Sequence, residues 1–262
     1  MGIIRTNQWL KEEFEHPTEI CEKLIPYFKG QNANEIYNQL MKFGMYRPSR
    51  LSKWSLEMMV EQKIWENTER LFQHYKKKWS GPDIPIFLFP LNQSGGLFFR
   101  SESDKSGVSY PDKMFLFLSQ IDDTKELEAL LVHEYHHVCR LSKLNKRMEE
   151  YTLLDSIIIE GLAEYAVLNN CGKEYLANWC RMYTKKDLLG LWDKYLKGQL
   201  GKKKSDRVHD NLLYGGGRIP KLLGYAAGFA IVEDYYKAHD YSTKLSFSIP
   251  ASKFIKDSNN FG

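Results

Sequence analysis

The chain has 262 residues, 43% of them hydrophobic and 27% charged, with a formal net charge of +4. That composition belongs to a soluble globular protein with a sizeable core, and it excludes a disordered chain or a coiled coil. No apolar run reaches the ~18 residues needed to span a bilayer, so a soluble, cytoplasmic protein is expected.

The N-terminal stretch MGIIRTNQWLKEEF lacks the basic segment and apolar core of a secretory signal. It fits a loose acylation pattern at Gly2 and Thr6, a pattern short enough to arise by accident. Pro17-Thr18 opens an amphipathic stretch with Ile20, Cys21, Leu24, Ile25 and Phe28 at helical spacing, closed by Gly30. Residues 33–44 repeat the pattern with Ile36, Leu40 and Phe43. A longer run from Leu51 to Lys78 carries Trp54, Met58, Ile64, Leu71 and Tyr75. The basic runs Lys76–Lys78 and Lys202–Lys204 read as a solvated helix end and loop, and no nucleic-acid partner is expected. Cys21, Cys139, Cys171 and Cys180 form no C-x-x-C pair and read as buried free thiols.

Gly81-Pro82 breaks the helical pattern. Ile84 to Pro90 is β-branched and aromatic, a buried-strand signal. Gly95 to Arg100 is a second candidate strand, SESDKSG reads as a polar turn, and Lys113 to Ser119 is a third strand. Asp122, Asp123 and Thr124 then cap a helix expected over Thr124–Leu141. Its positions Leu127, Leu130, Leu131 and Val138 adjoin His133 and His137, so the helix is expected half-buried with both histidines inward. Further helices are expected over Glu149–Leu168, 173–183 and 187–197. Residues 198–219 read as loop, Pro220 starts a helix to Ala238, and a short helix is expected near Lys253. Gly224 and Gly228 are spaced for close helix packing. The expected fold is α+β and mostly helical, with a small mixed sheet before the helix that carries His133 and His137. One domain, 1–262, is expected: a helical part (1–80), the sheet and the helix carrying His133 and His137 (81–143), and a second helical part (144–262).

The chemistry lies in His133-Glu134-Tyr135-His136-His137, an H-E-x-x-H pentad. Residues four apart on a helix lie about 40° from alignment, so His133 and His137 can aim two imidazoles at one point. Glu134 sits one step round, placed to act as a general base without binding the metal. His136 points away from that face and reads as a packing or surface residue. Zinc needs a third protein ligand. Arg140 and Lys143 stand where H-E-x-x-H-x-x-G-x-x-H requires Gly and His, which excludes that arrangement. Glu160 lies in the otherwise apolar run Ile157 to Ala163, where a carboxylate is costly unless paired or metal-bound. Gly161 and Ala163 are small enough to let this helix approach the pentad's helix. Glu164, one turn later, is a candidate for the shell behind the ligands and a rival for the ligand role. The expected cofactor is one Zn2+ per chain, held by His133, His137 and Glu160.

The blocks HEYHHVCR, TLLDSIIIEGLAEYAV and GYAAGFAIVEDYY, in that order, closely resemble the YjaZ-like family of predicted bacterial zinc-dependent proteases. That family is similar in outline to the gluzincins, which add a downstream E-x-x-A or E-x-x-x-D/E to H-E-x-x-H. Glu160–Ala163 and Glu160–Glu164 satisfy both patterns. The resemblance implies a zincin-like fold and a metallopeptidase acting on a peptide or protein substrate. It also implies a substrate laid along the edge strand before the active-site helix, at Gly95–Arg100 or the strand ending near Ser119. Amide hydrolysis would use Glu134 to take a proton from water and return it to the leaving amine. The oxyanion needs a further donor, with Tyr225 the first candidate and Tyr214, Arg218 and His209 the alternatives. The competing readings are a zinc-binding regulatory module without catalysis and a basic nucleic-acid-binding protein with an accidental pentad.

Overall fold

The computed structural model describes residues 1–92, 105–121, 123–258 and 260–261. They form two compact units, Met1–Val138 and Cys139–Gly262.

The first unit carries a four-stranded mixed sheet in the order β1 (Gly2–Ile3), β2 (Pro85–Pro90), β4 (Met114–Leu118), β3 (Lys105–Ser109). β1 and β4 run parallel to β2, and β3 runs antiparallel to β4. Every residue of β2 and β4 is buried. That is why both read as unbroken apolar runs rather than alternating ones. β3 carries Lys, Ser and Gly and is the sheet's far edge among the described residues. Its first three residues, Lys105 to Gly107, were expected to belong to a turn, because KSG has no apolar strand signature. The expected strand at Gly95–Arg100 lies outside the described residues. The strand ending near Ser119 is β4, an interior strand, so it cannot supply the expected edge. β1 gives too little pattern to be read from sequence.

Five helices precede β2: α1 (Thr6–Glu13), α2 (Pro17–Glu22), α3 (Ala33–Met41), α4 (Arg50–Glu61) and α5 (Ile64–Trp79). The expected single helix from Leu51 to Lys78 is two. Lys63 adopts φ 53°, and the buried phase jumps there from Ser52, Ser55, Met59 to Ile64, Thr68, Phe72, Tyr75. Trp54, expected inside, is exposed. α6 (Thr124–Leu144) follows the sheet and continues past the division between the units.

The second unit is helical: α7 (Leu153–Asn170), α8 (Lys185–Leu191), α9 (Arg207–Tyr214), α10 (Leu223–Tyr236), α11 (Thr243–Ser246) and α12 (Ala251–Lys256). Thr152 and Asp155 form a capping box that starts α7 four residues later than expected. The helix expected over 173–183 is two 3-10 turns, and α8 ends in a π turn over Trp192–Leu196. α9 lies in the stretch expected to be loop. Its two turns bury only His209, Leu212 and Leu213, too short a signal to stand out beside the lysine and glycine runs.

α7 and α10 form the core of this unit, with Ile157, Ile158, Leu162, Ala227, Ile231 and Val232 between them. A Cβ on Gly161 would lie 2.1 Å from the Gly228 carbonyl oxygen, and one on Gly228 would lie 2.0 Å from that of Ile157. The close approach that Gly161 permits is therefore to α10. No helix among the described residues is long and apolar enough to cross a membrane. Gly161→Ala or Gly228→Ala should each lower the melting temperature by more than about 5 °C, since the clash is with backbone. Gly190→Ala, with open space around it on α8, should change stability by no more than about 1 kcal/mol. Thermal unfolding checks both, and equal melting temperatures for all three would contradict the packing described.

Candidate metal centre

Between Ala129 and Leu141 every residue of α6 is buried except His133. The helix was expected to be half-buried. Aromatic side chains of α5 cover more of it: Trp79 stacks on Tyr135 at 5.7 Å, Phe72 meets Tyr135 edge-on at 5.2 Å, and Tyr135 donates to the Pro82 carbonyl at 2.9 Å. His136 lies on this side, fully buried and edge-on to Trp79, so it is a packing residue.

His133 and His137 place their Nε2 atoms 3.1 Å apart, with the rings nearly perpendicular at 86°. Two zinc ligands at ~2.0–2.1 Å in tetrahedral geometry would be about 3.3 Å apart, so the pair is already spaced for one ion. Glu160 completes the cluster: one ligand atom from each of His133, His137 and Glu160 lies within 4.8 Å of the others. Two imidazole nitrogens and one carboxylate are a donor set suited to zinc, with a fourth position left open. Glu164 lies outside this cluster. It is buried, and its Oε1 accepts from the Ala177 backbone N–H at 2.5 Å.

Glu134 is buried beside the pair, against β3. Ser109 Oγ lies 2.6 Å from Glu134 Oε2 and 2.8 Å from the Glu134 carbonyl oxygen, and donates to them. A Cβ on Gly107 would fall 2.5 Å from the Glu134 carboxyl carbon. Neither Ser109 nor Gly107 stood out in the sequence. The available signal was the period-two spacing of Lys105, Gly107 and Ser109, in a stretch whose composition reads as turn.

The other candidates are in the second unit. Tyr225, on α10, packs its ring against Trp179 at 5.3 Å and Tyr214 at 5.6 Å. Arg218 is exposed. His209 is fully buried, with Nε2 2.9 Å from Ser156 Oγ and Nδ1 2.8 Å from Asp210 Oδ1. Both ring nitrogens are engaged, which takes His209 out of reach of a reacting group. All four cysteines are free, three buried and Cys180 half-buried. Burial pushes the Cys21 thiol up to about 12 and that of Cys180 up as well, which disfavours the thiolate at both. Arg140 is buried and donates to the carbonyls of Ser246 at 2.5 Å and Ile249 at 2.9 Å. Desolvation pulls its pKa down to about 10.

Comparison with known proteins gives two matches. Residues 64–256 match the family described as "Predicted Zn-dependent protease (DUF2268)". The chain is also 37% identical over 258 residues to "Uncharacterized protein YjaZ" of Bacillus subtilis (strain 168), spanning 97% of this chain and 98% of that protein. No solved structure matches the chain.

The Arg140 contacts yield a stability prediction. Arg140→Met removes the donor and leaves two carbonyls without it, which should cost about 2–4 kcal/mol. Arg140→Lys should recover only part of that loss. Urea unfolding measures both, and an unchanged midpoint for Arg140→Met would contradict the anchoring role.

Proposed function

The chain belongs to the family of predicted Zn-dependent proteases, and from that premise we propose that it is a zinc metallopeptidase hydrolysing peptide bonds. The observation that carries the reading is the clustering of His133, His137 and Glu160 beside a buried glutamate. In this reading these three residues hold one zinc ion per chain. When bound, zinc supplies a Lewis acid and acidifies the attacking water. Glu134 takes the proton from that water and later delivers it to the leaving amine. Its burial supports this role, because a carboxylate removed from bulk solvent is shielded from competing proton exchange. Tyr225 is the proposed donor to the developing oxyanion, with its ring held by Trp179 and Tyr214. Glu164 is proposed to steady the ligand helix from behind, since its carboxylate ties α7 to the chain at Ala177. The substrate is a peptide laid along the edge of β3.

A peptide-library digest tests the reading. Wild-type protein should cleave, a chelator should abolish cleavage, and added zinc should restore it. Glu134→Gln should keep its zinc and lose activity by about 100-fold or more. Cleavage that survives both the chelator and Glu134→Gln would contradict the mechanism. Zinc binding without any cleavage would point to a regulatory module.

A further inference from the structure

We propose that β3 sets the position of the Glu134 carboxylate, with Ser109 as the positioning residue and Gly107 as the gap into which the carboxylate fits. The catalytic consequence rests on the reading of Glu134 as general base. The positional claim stands on geometry within the first unit.

Alternate residues of a strand share a face. Lys105, Gly107 and Ser109 therefore point one way. Lys105 Nζ donates to the Glu126 carbonyl and pairs with the Glu126 carboxylate, while Ser109 reaches Glu134. That face of β3 thus runs along two turns of α6. The opposite face is fixed as well, since Ser106 Oγ donates to the Phe43 carbonyl at 2.7 Å. Five residue pairs lock the register of β3 on β4, from Lys105 against Leu118 to Ser109 against Met114. An edge strand pinned on three sides is a rigid reference for whatever it touches.

What it touches is the whole end of one side chain. Ser109 Oγ sits between the carboxylate and the carbonyl oxygen of the same residue, so it constrains the glutamate's torsions against its own backbone. The 2.6 Å separation falls in the short range of a hydroxyl bound to a charged oxygen. Gly107, on the same face of β3, lies against the rest of the side chain. A Cβ there would lie 2.5 Å from each of Glu134 Cγ, Cδ and Oε1. Any larger residue would displace the carboxylate. The backbone of Gly107 does not itself require glycine, because its φ lies outside the left-handed region. The glycine is explained by what lies against it. A base must be held within about 0.5 Å of its working position, and a glutamate with free torsions is not.

The test is a set of double-mutant cycles. Ser109→Ala, Ser109→Thr and Gly107→Ala are made in the wild-type and Glu134→Ala backgrounds. Unfolding midpoint, zinc content, kcat and KM are then measured. Gly107→Ala should lower the melting temperature by about 3 °C or more in the wild type, and by less than about 1 °C where Glu134 is truncated. Ser109→Ala should keep its zinc and its KM within about twofold while kcat falls by about tenfold, and Ser109→Thr should restore most of kcat. Equal thermal losses for Gly107→Ala in both backgrounds would overturn the proposal, as would an unchanged kcat in Ser109→Ala. If the wild type cleaves nothing, the assignment of Glu134 as base fails, while the thermal cycle still decides whether β3 holds the carboxylate.

Discussion

Two imidazole nitrogens held 3.1 Å apart, on a stretch of α6 from Ala129 to Leu141 that is otherwise buried, form the constraint from which the site follows. Paired histidines at that separation can share one proton between them or converge on a cation. The Glu160 carboxylate grouped with them is a counter-charge for either state, and as a third donor atom it suits the cation. His133 is half-buried within a stretch of α6, Ala129 to Leu141, where every other residue is buried. Each flanking element has its own task in this arrangement. α5 supplies an aromatic wall behind Tyr135 and His136, β3 lies against Glu134, and α10 supports the helix that carries Glu160.

The glycines at 161 and 228 show how a local sequence choice acts at the level of packing. Both helices lose conformational entropy by placing glycine mid-helix, at about 1 kcal/mol each relative to alanine. Contact between the two backbones offsets that cost, and it buries Ile157, Ile158, Ala227 and Ile231 in one seam. The carboxylate of Glu160 lies one residue before Gly161, so the seam also fixes where α7 directs it. Arg140 acts similarly at the end of α6, where two backbone carbonyls hold its guanidinium.

The pentad, the carboxylate grouped with its histidines and the mixed helical and strand character were legible in the sequence, because each has a short-range signature. H-E-x-x-H is a spacing, and Glu160 is a charge in an apolar run. The interior strands are unbroken hydrophobic stretches. The parts that were not legible depend on three-dimensional neighbours. β3 is polar because one face meets α6 and the other meets the Phe43 carbonyl, and neither contact leaves an apolar pattern. The break at Lys63 follows from a change in which surface α4 and α5 bury. Gly161 was rightly read as a site of close approach, but sequence spacing could not say which helix it faces. The turns over 173–181 replace an expected helix, and there the Ala177 N–H bonds Glu164 rather than a helical carbonyl.

The central claim is that His133, His137 and Glu160 together bind one zinc ion. Zinc content per chain, measured by elemental analysis and native mass spectrometry after gentle purification, tests it most directly. The account predicts about one zinc in the wild type and less than about 0.1 in His137→Ala and Glu160→Ala, with all three proteins folded. A wild type holding less than about 0.3 zinc per chain, or a Glu160→Ala variant that keeps its full complement, would contradict it.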